Sequence, residues 1–333
     1  MGIALRPSRT YYPAMNSRIG FAALIAFALA SAAPAWAEPF AILAAVQGKV
    51  EVTGSKGGAP ARAGFGRELE RGDKVSVGAG GSATLYFSDG NVIELGEKSS
   101  VTIGGRVNNR TSVGPGATLP AGVYASVSRY VTRGSLQTGL VAQTSMRGPD
   151  EQPPSQLAPR RTDVTSERPG FSWRAVSGAT RYRVTVSQPS GPTFSRETSG
   201  TTLAYPADAA PLARDADCGW RLEAFSDAGK LRTEETVFHV VSAELAQGVD
   251  ADLRQIEQSA GGPDHAATHF LSGSYLYGRG LYQDAAGHFE ALARVAPSSP
   301  APHEALGNVY QAIGLMDRAA SEYEQALALT RSP

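Results

Sequence analysis

The chain has no excess of either charge and almost no cysteine. Its 333 residues carry 31 basic and 31 acidic side chains, so general attraction to nucleic acid or to anionic lipid is not expected. The one cysteine, Cys218, excludes an intramolecular disulfide, and its strand-like neighbours Trp220 and Leu222 share its parity, which indicates a buried position. The length is sufficient for two or three domains that need no disulfide.

Motifs of common catalytic sites are also missing from the sequence. No serine elbow, Cys-His pair or pair of poised acids has supporting context, and Glu322 and Glu324 fit the surface of a repeat helix. The glycine cluster at 78–81 precedes neither a helix pattern nor a Lys-Ser or Lys-Thr pair, so it indicates a turn rather than a phosphate site. We therefore expect a protein that is not an enzyme and uses no cofactor.

Two histidines raise the question of a metal site. His265 and His269 lie four residues apart on a predicted helix, which is a spacing that a metal pair can use. No third ligand follows at a telling spacing, and His303 repeats His269 within an internal repeat. We expect these histidines to be structural or exposed and predict no metal.

The N-terminus has the pattern of a secretory signal peptide. Arg18 precedes an uncharged run at 19–33, and small residues at 35 and 37 close it before Glu38. We predict a signal peptide at 1–37, with Met15 as an alternative start, and a periplasmic or extracellular mature protein. The alternative is an uncleaved inner-membrane anchor, which Pro34 disfavours because a span needs roughly 20 apolar residues.

Short strands separated by glycine turns follow the leader, and the 37 glycines and 21 prolines favour a large β fraction. The strongest signal is a hairpin at 83–95 that turns at Asp89-Gly90. We assign 38–147 to one β domain, in which 104–147 is an irregular extension with strand-like runs at 123–127 and 140–142. That extension is either an irregular part of the sheet or poorly ordered.

This β domain resembles the FecR-type domain of periplasmic sensor-regulators and envelope proteins. The residues that carry the resemblance are Gly48, Val50, Gly72, Asp73, Val75, the turn at 78–81, the strand at 83–87, Asp89, Gly90 and the stretch 95–103. The resemblance implies an exported protein with a binding function.

A polar, proline-rich stretch at 148–165 predicts a linker, and alternating strands at 166–241 predict a β-sandwich. Phe171 and Trp173, followed by Gly178, Tyr182 and Val184, resemble the pattern of fibronectin type III-like modules.

Helical periodicity begins after the sandwich. An amphipathic helix is predicted at 242–260, within a packing segment at 242–262. The stretch 263–333 repeats with a spacing of 34 residues, which pairs Gly273 with Gly307, Gly280 with Gly314, Ala285 with Ala319 and Phe289 with Tyr323. This repeat resembles the tetratricopeptide family and predicts two helix pairs. Because stable stacks usually need three repeats, we expect the 242–260 helix to pack on the first pair.

In tetratricopeptide proteins the first helix of each pair lines a concave groove that binds peptides. The resemblance assigns this role to six residues, which are Phe270, Ser274, Tyr277, Glu304, Asn308 and Gln311. Their aromatic, amide and hydroxyl groups suit an extended peptide or a partner helix. The alternative is that the chain's own helix or linker fills the groove.

The predicted fold is therefore a multidomain β plus α protein, with a FecR-like β domain, a fibronectin type III-like sandwich and two tetratricopeptide hairpins. The predicted function is a non-enzymatic envelope scaffold that binds protein partners through the repeats. Two alternatives remain open at this point. One is an envelope sensor that acts through a partner, with an envelope receptor engaging the β domain, and the other is a protein that binds cell-wall glycan.

Overall fold

The computed structural model describes residues 40–104, 107–108, 119–137 and 153–331. The predicted signal peptide and the strand-like run at 140–142 lie outside these residues. The fold is mixed: several β-sheets form the N-terminal and central parts, and helices dominate the C-terminal part. The described residues belong to one compact unit, in which the β-sheets and the helices pack together.

Two small sheets form the N-terminal β domain and enclose a core that includes Leu43, Val75 and Leu85. Each sheet takes strands from both halves of the domain, in the orders β4-β1-β6-β7 and β3-β2-β5-β8-β9. The strands are β1 (Ala41–Gln47), β2 (Val50–Thr53), β3 (Ala61–Arg62), β4 (Glu68–Leu69), β5 (Lys74–Val77), β6 (Ser82–Phe87), β7 (Val92–Leu95), β8 (Ser100–Thr102) and β9 (Val107–Asn108).

The hairpin predicted around Asp89-Gly90 is confirmed. β6 and β7 pair antiparallel from Ala83 opposite Leu95 to Tyr86 opposite Val92. Gly90 has a φ of 88°, which a residue with a side chain rarely adopts, and Asp89 Oδ1 accepts a hydrogen bond of 3.0 Å from the Asn91 amide. The turn therefore sets the register of this strand pair.

The strand predicted at 123–127 is wrong, because this segment belongs to a helix, α1 (Ala121–Gln137). Val123, Val127, Tyr130 and Val131 are buried and recur at the three- and four-residue spacings of a helix face. The alternation of valines with small residues at 123–127 also fits a strand. Contacts with other helices, which the local sequence does not encode, decide in favour of the helix.

Residues 155–241 form a central two-sheet domain with an aromatic core that contains Phe171, Trp173 and Trp220. The predicted linker at 148–165 is shorter than expected, because two of its segments are strands of this domain, β10 (Gln156–Ala158) and β11 (Asp163–Val164). The remaining strands are β12 (Phe171–Trp173), β13 (Arg181–Gln188), β14 (Gly191–Thr198), β15 (Thr202–Leu203), β16 (Ala216–Ser226) and β17 (Gly229–Val240).

The central sheets have the strand orders β10-β12-β15 and β11-β17-β16-β13-β14. Trp220 Nε1 donates a 2.7 Å hydrogen bond to the carbonyl oxygen of Pro159, so the core tryptophan holds the segment between β10 and β11. Cys218 is buried on β16 as expected, and burial, with a smaller contribution from Asp217, raises the pKa of its thiol to about 11. A thiol of this kind is a poor nucleophile at neutral pH.

Five helices follow the central domain: α2 (Ala243–Ser259), α3 (Ala266–Gly278), α4 (Tyr282–Val295), α5 (Ala301–Ala312) and α6 (Met316–Arg331). The pairs α3-α4 and α5-α6 repeat the same close contact. A Cβ added at Gly273 would lie 2.6 Å from the Phe289 ring, and one at Gly307 would lie 2.6 Å from the Tyr323 ring. The paired glycines and aromatics of the sequence repeat therefore meet inside each helix pair.

The helix α2 packs on the first pair. Val249 and Ile256 of α2 share a hydrophobic core with Leu271 of α3, and the Tyr275 hydroxyl donates a 2.6 Å hydrogen bond to Asp252. Ser242 begins α2 by accepting a hydrogen bond from the Leu245 amide. Among the helices in the described residues, none combines the length and apolarity required to cross a bilayer.

Candidate functional site

The six residues assigned to a groove by the sequence are brought together by α3 and α5. We call the surface that they form the groove. Four of them, Phe270, Ser274, Tyr277 and Asn308, are buried, whereas Glu304 and Gln311 are half-buried. The burial of these four residues shows that another part of the chain covers the groove, which is one of the two possibilities that the sequence left open.

The side chain of Tyr130, on α1, fills the groove. Its ring stacks on Phe289 with centroids 5.5 Å apart and meets Tyr277 edge-on at 5.1 Å and Phe270 at 6.4 Å. Burial raises the pKa of Tyr130, and a hydrogen bond with Asn308 partly offsets this effect. One aromatic side chain of α1 thus contacts both helix pairs.

The backbone of α1 lies close to α3 at Gly278. A Cβ added there would lie 2.7 Å from the carbonyl oxygen of Ser126 and 3.1 Å from its Cβ. Contacts under 3.0 Å to a backbone atom require one of the elements to move. Glycine at 278 and a small residue at 126 are therefore both needed for α1 to lie against the end of α3.

The N-terminal β domain closes the space around α1. Tyr86 of β6 meets Tyr124 of α1 edge-on with centroids 5.2 Å apart, and the Leu119 amide donates a 2.8 Å hydrogen bond to the Gly90 carbonyl. Phe65 lies 6.1 Å from Phe270, measured between ring centroids. α1 is consequently held between the β domain and the helix pairs.

A polar network continues from the groove into the second helix pair. The Tyr323 hydroxyl donates to Asn308 Oδ1 at 2.6 Å and lies 3.1 Å from Gln311 Oε1. Burial raises the pKa of Tyr323 and that of the Glu304 carboxyl. The groove therefore combines aromatic surface at the first pair with hydrogen-bonding side chains at the second.

The arrangement corresponds to the alternative in which the chain's own helix fills the groove. Phe270, Tyr277 and Asn308 contact Tyr130 of a helix, but that helix belongs to this chain, so binding of a partner there stays a prediction. Sequence reasoning missed Ser126, Tyr130 and Gly278. The helical spacing of Val123, Val127, Tyr130 and Val131 could have predicted α1, but the same segment also fits a strand.

The histidines that suggested a metal pair have separate surroundings. His265 begins α3 and accepts a 3.2 Å hydrogen bond from the Ala267 amide, whereas His269 lies 3.4 Å from His288, measured between the Nδ1 atoms. His303 pairs with Glu322 at 2.8 Å. In the part of the chain that the structure describes, no three His, Cys, Asp or Glu side chains gather as metal ligands would.

Comparisons with known proteins show no family for this chain. No family model matches the sequence, and no curated protein matches it. Among solved structures, the kinase region of twitchin from C. elegans is 16% identical over 28% of this chain and 17% of its own, with a TM-score of 0.20. A multi-domain immunophilin from Arabidopsis thaliana is 9% identical over 53% of this chain and 100% of its own, with a TM-score of 0.21. TM-scores this low carry no argument about fold family or function.

Proposed function

We propose that this chain is a non-enzymatic protein of the cell envelope that acts as a scaffold for protein partners through the groove. One observation carries the proposal: the groove already holds an amphipathic helix, with an aromatic side chain in a slot formed by Phe270, Tyr277 and Phe289. A surface that binds one helix in this way has the chemistry to bind another, because apolar contact and aromatic anchoring are not specific to the chain that supplies them.

The family assignments are part of the same proposal. Two helix pairs with equivalent glycine–aromatic contacts support tetratricopeptide repeats at 263–333. Two sheets around an aromatic core support a fibronectin type III-like sandwich in the central domain. The hairpin at Asp89-Gly90, within two small sheets, supports the FecR-like assignment. The periplasmic or extracellular location is supported by the leader pattern before Glu38.

Site-specific crosslinking in cells tests the scaffold. A photoreactive amino acid at Gln311, which is half-buried at the groove, should crosslink to another protein, whereas the same group at the exposed Leu231 should not. Adducts confined to α1 of the same chain would defeat the proposal. N-terminal sequencing of the fractionated protein tests the location, and a mature start at Glu38 is expected.

A second candidate is an envelope sensor that acts through a partner. The observation in its favour is that α1 contacts both the β domain, through Tyr124 and Tyr86, and the groove, through Tyr130. A ligand of the β domain that changes its contact with α1 would then change access to the groove. Crosslinking at Gln311 that responds to envelope conditions would favour the sensor, and constant crosslinking would favour the plain scaffold.

A further inference from the structure

We propose that α1 is a displaceable internal ligand of the groove, and that the partner is a protein helix with the same contact pattern. This inference rests on the proposed scaffold function and names both the partner chemistry and the regulation of the same site. The pattern consists of apolar residues at the positions of Val123, Val127 and Val131, a small residue at the position of Ser126 and an aromatic residue at the position of Tyr130.

The groove dictates the small and aromatic positions. Ser126 of α1 faces Gly278 at close range and is fully buried, so we infer that this position takes only a small side chain. Four positions further along, one helical turn, three aromatic rings form a slot that Tyr130 fills. A competing helix must reproduce both features in this register, and specificity follows from that spacing.

The composition of α1 indicates that it depends on the groove for its helical state. Its 17 residues include two glycines, three valines and three serines, with no acidic residue in the first turn and no basic residue in the last. Glycine, β-branched and serine residues lower helix propensity, and isolated helices of this length are marginal even with favourable sequences. Release from the groove is therefore expected to unfold α1, as in segments that fold on binding.

The helix pairs have contacts of their own that do not involve α1. Gly273 packs on Phe289, Gly307 packs on Tyr323, and α2 covers α3 through Val249 and Ile256. Displacement of α1 leaves these contacts in place, so the groove can exchange one helix for another without the repeats unfolding. The apparent affinity for a partner then equals the intrinsic affinity multiplied by the fraction of molecules in which α1 has left the groove.

A peptide of residues 119–137 with a fluorescent label serves as the probe, and the full mature chain from Glu38 serves as the receptor. Val127→Ala and Tyr130→Ala in the chain weaken its own α1 and leave the groove unchanged. Each should bind the peptide at least about tenfold more tightly than the wild-type chain, because the competitor is weakened. Adding Gly278→Ala to either variant obstructs the groove itself, so the increase in peptide affinity should disappear.

The matched control for Gly278→Ala is Gly287→Ala, since a Cβ at Gly287 meets nothing within 4 Å. The control should leave peptide binding unchanged. A peptide that carries Tyr130→Ala should bind every receptor at least about tenfold more weakly, because it lacks the aromatic anchor.

Three outcomes would overturn the inference. In the first, α1 variants that retain a cooperative unfolding transition bind the peptide no better than the wild-type chain, which makes α1 a permanent structural helix. In the second, the variants form a concentration-dependent dimer without binding the peptide, which makes a second copy the occupant. In the third, wild-type α1 amides exchange hydrogen only on global unfolding, a measurement that needs no variant. None of these outcomes decides whether the groove crosslinks to a partner in cells, so the scaffold proposal is tested separately.

Discussion

The helix pairs are joined to the rest of the molecule by two junctions of opposite chemistry. At the first junction the N-terminal β domain and α1 share one hydrophobic core with the helices, from Ile42 and Tyr86 through Tyr130 to Phe270. Apolar contact of this kind is strong but weakly directional. It allows a helix of similar pattern to take the place of another.

At the second junction the central domain meets the helices largely through hydrogen bonds, although Leu157 also packs against the helical core. The Thr162 hydroxyl contacts the Gly280 carbonyl at 3.1 Å and accepts from the Tyr282 amide at 2.9 Å. Arg160 Nε donates to the Ile313 carbonyl at 2.9 Å, next to Gly314. Gly280 and Gly314 are equivalent turns of the repeat, so the segment at 160–163 contacts the same turn in both units.

The two junctions have different roles for the same helix pairs. Directional hydrogen bonds to backbone groups fix the position of the helix pairs on the central domain. Aromatic and aliphatic contacts hold α1, and its register in the groove is set by the close approach at Gly278 and the slot for Tyr130 rather than by hydrogen bonds. Substitutions at each junction should therefore differ in size and in their effect on groove access.

The largest effect is expected from Tyr130→Ala at the apolar junction. Loss of a buried aromatic side chain that contacts three rings should lower the free energy of unfolding by about 3–5 kcal/mol, as measured by chemical denaturation. Arg129→Ala, on the exposed side of the same helix, should change it by less than about 0.5 kcal/mol. Similar losses for both variants would contradict the packing of α1 described above.

The next effect concerns the close approach of α1 to α3. Gly278→Ala should lower the free energy of unfolding by about 1–3 kcal/mol, since the added Cβ displaces the Ser126 backbone. Gly287→Ala should instead raise it by about 0.5–1 kcal/mol, because alanine favours the helix and meets no neighbour. Opposite signs for two glycine-to-alanine changes in one helix pair are the expected result; stabilisation by both would show that α1 does not lie there.

Thr162→Val probes the polar junction and should cost about 1–2 kcal/mol in thermal or chemical unfolding. The change preserves shape but leaves the Tyr282 amide and the Gly280 carbonyl without the hydroxyl. Thr185→Val is the matched control, because its hydroxyl pairs with the Ser195 hydroxyl on the sheet surface, away from the helices. The peptide affinity of the groove should not change in either variant, and an increase in Thr162→Val would mean that the two junctions are coupled.

The smallest effect is expected at the ion pair between Arg174 of the central domain and Asp317 of α6. Asp317→Asn should cost less than about 1 kcal/mol, and the cost should shrink as salt is added. Burial tends to raise the pKa of Asp317, but the hydrogen bond and charge of Arg174 outweigh it, and the pKa is lowered.

The sign of the pH effect follows from this lowered pKa. The stabilisation is fully present above the ordinary aspartate pKa of about 3.9 and is lost as the pH falls through the lower folded-state pKa. When the free energy of unfolding is plotted against pH, the values for the wild type and Asp317→Asn should therefore converge in strong acid and separate above about pH 4. Curves that stay parallel over this range would show that the pair does not contribute.

Short-range patterns predicted the parts of the fold that depend on neighbouring residues. Asp89-Gly90 indicated a hairpin because the turn chemistry lies within two residues. The glycine–aromatic spacing of the repeat placed Gly273 beside Phe289 because both belong to one helix pair. The strand prediction at 123–127 failed because Val123 and Val127 suit either a strand or a helix, and the deciding contacts come from α3, about 150 residues later in the chain.

In the candidate site, too, some residues could be predicted from the sequence and others could not. The resemblance to tetratricopeptide repeats assigned all six groove residues to the helices now seen as α3 and α5, but it contained no information about what covers them. Tyr130 lies in a segment without a distinctive motif, and Gly278 shows its importance only when α1 lies against it.

By itself, the sequence determined the turn positions, the repeat period, the mixed β and α composition and the buried place of Cys218, because these depend on local conformational preference and on hydrophobic periodicity. Tertiary structure alone decided that α1 is a helix, that it occupies the groove, and that the segment at 160–163 contacts both repeat turns. Those features arise from contacts between residues far apart in the chain, where the free energy belongs to the pair of surfaces and is not encoded in either segment alone.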